Sequence, residues 1–312
     1  MSLLPLGLPL ALAFDVVAQR RLATCRFLVF AAGYLACELL GLTASFALWL
    51  ERRGSRWDRE RYLAANFRLQ LWWAGALFAL ARRIYGLRVE LDLSEVGART
   101  VVLFVRHVSL VDALLPTVFV SRRDGTRLRF ILKRELLHDP CLDVVGQRLP
   151  NAFVTRNSND PEPEEESIRR LTRDVGPREG VVIFPEGTRF SPEKLMSAIE
   201  RIHASGDRAR LARVVGFRHV LPPRSRGPLA LLDAAPHAEV LFVAHQGLEG
   251  TSDLRAILRG DLIGRCLRVR TWRVPISTLP QDRSDRLAWL DGEWARIDAW
   301  IESGATRAMG LG

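Results

Sequence analysis

TVVLFVRHVSLVD, Thr100 to Asp112, sets an unbroken apolar run directly before a histidine and an aspartate. The run reads as a strand, and strand ends are where the sites of α/β domains gather. Similar β-branched runs follow at Leu128–Leu132, Gly180–Phe184 and Glu239–Val243, separated by helical or polar stretches from about Gly86 onward. That alternation predicts an α/β domain with a central sheet. Asn157–Ser167 breaks the pattern with Asp160, Glu162, Glu164, Glu165 and Glu166 among prolines, which predicts a solvated loop leading into a helix. Toward the end, Leu287, Leu290, Trp294, Ile297 and Ile301 recur at mostly three- and four-residue spacings, as in an amphipathic helix packed on the domain. The domain is expected over residues 86–302, with 303–312 as a tail.

Ahead of the domain the texture is different. Phe27 to Leu50 is an apolar run interrupted by Glu38, and about 20 such residues suffice to cross a roughly 30 Å hydrocarbon layer. Residues 27–50 therefore predict a transmembrane helix, with Glu38 facing a partner helix or protonated, because an acidic group at mid-bilayer is costly. Residues 1–26 hold a second apolar stretch, Leu3–Phe14, too short to span and suited to the interface. Arg52, Arg53, Arg56, Arg59 and Arg61 crowd the exit of the helix and put the remainder of the chain on the cytoplasmic side, although Arg20, Arg21 and Arg26 weaken the asymmetry. Residues 51–85 read as a basic linker and then Leu69–Ala81, whose Trp72, Trp73, Arg82 and Arg83 suit a helix resting among headgroups or one packed on the domain.

A net charge of +10 on 312 residues suits either nucleic acid or an anionic membrane surface. No aromatic-basic recognition motif supports a nucleic-acid partner. Cys25, Cys37, Cys141 and Cys266 are scattered without the paired spacing of a zinc site and read as buried thiols in a reducing compartment. With neither a glycine-rich phosphate loop nor a G-x-S-x-G elbow, ATPase and serine-hydrolase chemistry lose their usual support.

Two segments carry chemistry. In Arg106–Asp112 a carboxylate follows an imidazole closely enough to fix its tautomer and leave the other ring nitrogen free to take a proton from a hydroxyl. By itself the pair also fits a loop histidine and a helix cap. The second is Pro185-Glu186-Gly187-Thr188-Arg189-Phe190-Ser191, again past a strand. Gly187 admits a ligand to the backbone, Arg189 offers a planar fork to a phosphate, and Glu186 is suited to orienting that arginine or holding an acceptor hydroxyl. Alone, this segment fits a surface turn as well.

Together the two segments resemble the glycerolipid acyltransferase family, which includes the lysophosphatidic acid acyltransferases. His107 and Asp112 match the family's histidine, four residues, aspartate motif, and Phe184–Ser191 matches its phosphate-binding motif except for the additional Phe190. Lys133-Arg134-Glu135-Leu136 looks like the segment whose lysine helps bind the acceptor phosphate, and Phe153-Val154-Thr155-Arg156 like the second motif. Leu221–Gly227, with Pro222, and Arg268–Pro280 look like the branch that contains lysocardiolipin acyltransferases. Arg106 departs from the family, where asparagine commonly precedes the histidine, and is expected to alter local hydrogen bonding or acceptor recognition.

The resemblance, spanning roughly Gly86–Trp300, implies a central mixed sheet flanked by helices, appended to the membrane helix region. It implies His107 as general base, Asp112 as its orienter, and Glu186, Gly187, Thr188, Arg189 and Lys133 around the substrate phosphate. Arg156 and Pro222 would belong to the acceptor site or acyl groove. The expected partners are a lysophospholipid acceptor, acyl-CoA or acyl carrier protein as donor substrate, and the bilayer of a bacterial inner membrane or endoplasmic reticulum. No metal, resident cofactor or nucleic acid is expected, and the oligomeric state stays open. A transacylase or an acyltransferase for another lysolipid would share these residues, whereas the intact His107, Asp112, Glu186 and Arg189 argue against an inactive scaffold.

Overall fold

The computed structural model describes residues 4–19, 21–55, 57–154, 162–251 and 253–308. Three helices come first: α1 (Leu4–Val17), α2 (Ala23–Gly54) and α3 (Arg59–Tyr85). At 32 residues α2 is about 48 Å long, and among the described residues it is the one helix long and apolar enough to cross a membrane. It extends beyond the expected 27–50 at both ends. Arg52 and Arg53 continue it, since arginine is a good helix former and a cation is favoured at a helix C-terminus.

The expected basic linker is therefore the end of one helix and the start of the next, α3, whose N-cap Asp58 accepts from the Arg61 amide at 2.7 Å. The Leu69–Ala81 stretch lies within α3, and Phe78, Ala81 and Tyr85 are buried in one cluster with Val101, Leu103 and Val105 of the sheet. That end packs on the domain, whereas Trp72 is exposed. Glu38 does face partners: it accepts from Trp73 Nε1 on α3 at 2.7 Å and from the Cys141 amide at 3.0 Å.

The domain continues with β1 (Arg88–Asp92), β2 (Val101–Val105), a 3-10 turn at Val111–Ala113, a π-turn at Thr117–Ser121 running into α4 (Arg122–Asp124), β3 (Arg127–Lys133), α5 (Pro140–Gly146) and β4 (Ala152–Val154). Then come α6 (Glu162–Thr172), β5 (Glu179–Ile183), α7 (Pro192–Ala204), α8 (Arg208–Val214), α9 (Arg226–Ala234), β6 (Glu239–Gln246), α10 (Leu254–Arg259), β7 (Cys266–Val274) and α11 (Arg283–Ala308). The seven strands form one mixed sheet in the order β1-β7-β6-β2-β5-β3-β4. From β6 to β4 all neighbours are parallel, β7 runs antiparallel to β6, and β1 is parallel to β7. The carboxyl ends of β6, β2, β5 and β3 thus share one edge.

The fold class matches the mixed sheet flanked by helices that the resemblance implies. β2 is buried at all five positions, so it shows as a continuous apolar run. Three strands left no such run. β1 is an exposed edge strand, β4 has three residues, and β7 interleaves Arg268, Arg270 and Arg273 with buried positions. Alternate β2 residues serve two cores. Val102 and Phe104 pack with α6, α9 and α11, including Trp294, Ile297 and Ile301, while Val101, Leu103 and Val105 face α3 and the Leu115–Val120 segment. Of the expected Asn157–Ser167 loop, residues 157–161 lie outside the described residues, and 162–167 are already the first part of α6. Of the four free cysteines only Cys141 is buried, which corrects the expectation of buried thiols.

Candidate active site

Past β2 the Arg106 amide still donates to Val243 O of β6, at 3.1 Å, before the chain leaves the sheet. The next residues fold onto Asp112. Its carboxylate, fully buried, accepts from the Val108 amide and the Ser109 amide and hydroxyl, and Oδ2 lies 3.2 Å from His107 Nδ1. Burial alone would raise this carboxyl, but the neighbouring His245 and His107 rings and the Ser109 hydroxyl outweigh it and hold it down at about 2. Asp112 is thus ionised at neutral pH and fixes Nδ1 as the donor, which leaves His107 Nε2 as the proton-accepting nitrogen. The His107 side chain is 19% exposed and rests against the Phe184 ring at 4.5 Å between centroids.

Phe184 begins the second turn, so the two motifs meet. The Phe190 amide donates to His107 O at 2.8 Å, and Phe190, the additional residue in the motif, packs against both cores. Glu186 is 2% exposed. Its Oε1 accepts from the His107 amide at 3.0 Å and its Oε2 from the Leu221 amide at 3.1 Å. Both oxygens are committed to backbone, which corrects the expectation that Glu186 orients Arg189 or holds the acceptor hydroxyl. Burial pushes its carboxyl up to about 7 against the opposing pull of Arg106 and the two amides.

Gly187 turns the loop with φ of 72°, a left-handed conformation that favours glycine. Thr188 Oγ1 and Arg189 O both accept from Lys194 Nζ, at 3.2 and 2.9 Å, and Ser191 caps α7. Thr188 and Arg189 are partly exposed. Lys133 stands exposed at the carboxyl end of β3, the neighbour of β5. Pro222 is buried beside Leu221, whose amide reaches Glu186. Arg156 lies outside the described residues.

Beneath the site lie Arg106, noticed in the sequence only as a departure, and His245 and Glu249, which went unread. Arg106 is fully buried and cannot touch an acceptor; its guanidinium donates to His245 O at 2.6 Å, His219 O at 2.8 Å and Glu249 Oε1 at 2.7 Å. It ties the His107–Asp112 turn to the end of β6 and to the segment before Pro222. His245, also fully buried, has Nε2 3.0 Å from Arg106 O and 3.4 Å from Asp112 Oδ1. Burial lowers its imidazole, favouring the neutral ring. His245 and Gln246 directly after the apolar run Val240–Ala244, with Glu249 three residues further on, were the signal available for this cluster.

Residues 92–204 match the family described as Acyltransferase. The chain is 25% identical over 202 residues to 1-acyl-sn-glycerol-3-phosphate acyltransferase epsilon of Mus musculus, covering 61% of this chain and 54% of that protein. The chain therefore spans about half the length of the mouse relative. It is 27% identical over 249 residues to lyso-ornithine lipid O-acyltransferase of Pseudomonas aeruginosa, covering 77% of this chain and 82% of that one. The crystal structure of the 1-acyl-sn-glycerophosphate acyltransferase PlsC from Thermotoga maritima superposes with a TM-score of 0.56, covering 92% of this chain and 97% of that chain, and at 17% identity it speaks to the fold alone. Residues 92–204 thus carry an Acyltransferase match, and the two relatives named as acyltransferases agree with the resemblance to glycerolipid acyltransferases, while the Thermotoga maritima structure shares the fold.

Proposed function

We propose that this protein transfers a fatty acyl group from acyl-CoA or acyl carrier protein to the free hydroxyl of a lysophospholipid, with 1-acylglycerol-3-phosphate as acceptor and phosphatidic acid as product. The observation that carries this reading is the Asp112-held His107 set against the Phe184–Ser191 loop through Phe190 N and Glu186. His107 Nε2 takes the acceptor's hydroxyl proton as its oxygen attacks the thioester carbonyl. The new C–O bond forms, the C–S bond breaks, and the departing thiolate takes the proton from the imidazolium. The ionised Asp112 stabilises that imidazolium. Arg189 and Lys133 bind the phosphate, and no resident metal or cofactor is required because the thioester supplies its own leaving group.

The amphiphilic substrates fit the helical hairpin. In this reading α2 spans the bilayer, with Arg52, Arg53, Arg59 and Arg61 at its cytoplasmic end. The likeness to the Pseudomonas aeruginosa protein favours a second reading, in which the acceptor hydroxyl belongs to a lyso-ornithine lipid. Lysocardiolipin or lysophosphatidylinositol would use the same residues. Acyl transfer by the detergent-solubilised protein, with acyl-CoA and a panel of these acceptors, tests both readings. Transfer to lysophosphatidate supports the first, transfer only to lyso-ornithine lipid the second, and no transfer to any acceptor defeats both. Turnover with phospholipid in place of a thioester would make the enzyme a transacylase.

A further inference from the structure

The segment Leu221–Arg224 is stitched along the phosphate-motif loop at two points. Leu221 N donates to Glu186 Oε2 at 3.1 Å, and Arg224 N donates to Pro185 O at 2.8 Å. Between these points Leu221, Pro222 and Pro223 are buried, and the two proline rings fix the local φ. Arg224 then emerges to solvent with a stiff, buried stem behind it.

Its side chain does not drift away from the loop. A Cβ placed on Gly187 would come within 2.7 Å of Arg224 Cδ and 2.9 Å of its Cζ, so the guanidinium lies directly across the glycine. Gly187 is thereby required twice, for its positive φ and for the room it leaves to Arg224. Among the described residues the Arg224 side chain has no ion pair or hydrogen bond.

Lys194 donates to Thr188 Oγ1 and Arg189 O, and burial together with the Arg189 guanidinium lowers its ammonium, with Glu193 opposing. Glu186 has both oxygens bound to backbone amides. A guanidinium set across Gly187, in the same loop as Arg189, offers paired donors to phosphate oxygens in a way a lone surface lysine does not.

We propose that Arg224 is a specificity-determining residue for the acceptor, supplying a second guanidinium beside Arg189 to a phosphate monoester headgroup and favouring it over zwitterionic headgroups. The inference rests on the proposed acyl transfer to a lysolipid. It assigns to the segment around Pro222 a part in headgroup recognition, separate from any shaping of an acyl groove. Because Arg224 is exposed, its replacement leaves the cores untouched.

The test compares the full-length wild type with Arg224→Gln and Arg224→Lys, in detergent, on lysophosphatidate and lysophosphatidylcholine. The expected result for Arg224→Gln is a KM for lysophosphatidate raised about tenfold, as for one lost charge-assisted hydrogen bond, with the donor KM unchanged and kcat altered by less than about twofold. Arg224→Lys should fall between the two. An unchanged KM for lysophosphatidate, or equal losses on both acceptors, overturns the proposal. If the wild type acylates neither lipid, the functional reading fails separately, and thermal unfolding with sn-glycerol 3-phosphate then decides. Stabilisation present in the wild type and lost in Arg224→Gln supports the subsite; stabilisation equal in both, or absent from both, overturns it.

Discussion

The turns that follow β2 and β5 sit side by side at the same edge of the sheet, yet they are held in opposite ways. The first is built from within: Asp112 gathers the amides of Val108 and Ser109, the Ser109 hydroxyl and the His107 ring, all within five residues of itself. The second is held from outside, since Glu186 bonds across to His107 and Leu221 and Phe190 bonds back to His107 O. A self-contained turn lets one side chain be lost without the frame moving, whereas a stapled turn transmits its losses to its neighbours.

The largest expected effect separates chemistry from frame in the first turn. His107→Ala should lower kcat by about 10² to 10⁴, the usual worth of general-base help, with a circular-dichroism melting midpoint close to that of the wild type. Retained turnover would remove His107 from the chemistry. Asp112→Asn should show both losses, because its amide turns an NH₂ toward donors that now meet an acceptor. A kcat reduced at least about 100-fold together with about 1–3 kcal/mol of lost stability in urea unfolding is the expected pair. An activity loss with full stability would mean that the Val108 and Ser109 bonds contribute little.

Arg189→Ala tests the outward side of the second turn. The KM for the phosphate-bearing acceptor should rise about 10- to 100-fold with a smaller change in kcat, and an unchanged KM in steady-state assays would take the phosphate away from Arg189.

The most gradual effect is a pH dependence of stability carried by Glu186, spread over more than two pH units. Its folded-state value of about 7 lies above the 4.5 of an ordinary glutamate, so the folded protein binds the extra proton between those values. This group's stabilising contribution is complete below about pH 4.5 and is lost as pH rises through 7, on the order of 3 kcal/mol in all. Urea unfolding of the wild type from pH 5 to 8 should show a downward component that Glu186→Gln lacks. Identical pH slopes would show that the two backbone amides hold Glu186 ionised throughout.

Legibility in the sequence followed the same division. The His107–Asp112 turn is local, so a spacing of five residues was enough to suggest the pair, and β2 announced itself because both of its faces are buried. The Phe184–Ser191 segment was recognisable as a motif, but the work assigned to Glu186 was misread, because its partners lie 79 and 35 residues away. Arg106 was noticed as a departure, and only its complete burial showed that it braces the site from beneath.

By itself the sequence determined the chemistry-bearing side chains, the strand runs of the sheet's centre, the long apolar helix and the family likeness, because each depends on residues close together along the chain. Tertiary structure alone decided that β7, with its alternating arginines, joins the sheet antiparallel to β6, that Glu38 meets Trp73 and Cys141, and that Arg224 lies across Gly187. Those outcomes depend on hydrogen bonds and close contacts between segments far apart in the chain, and a periodicity or a motif carries no record of which distant backbone a buried polar group will find.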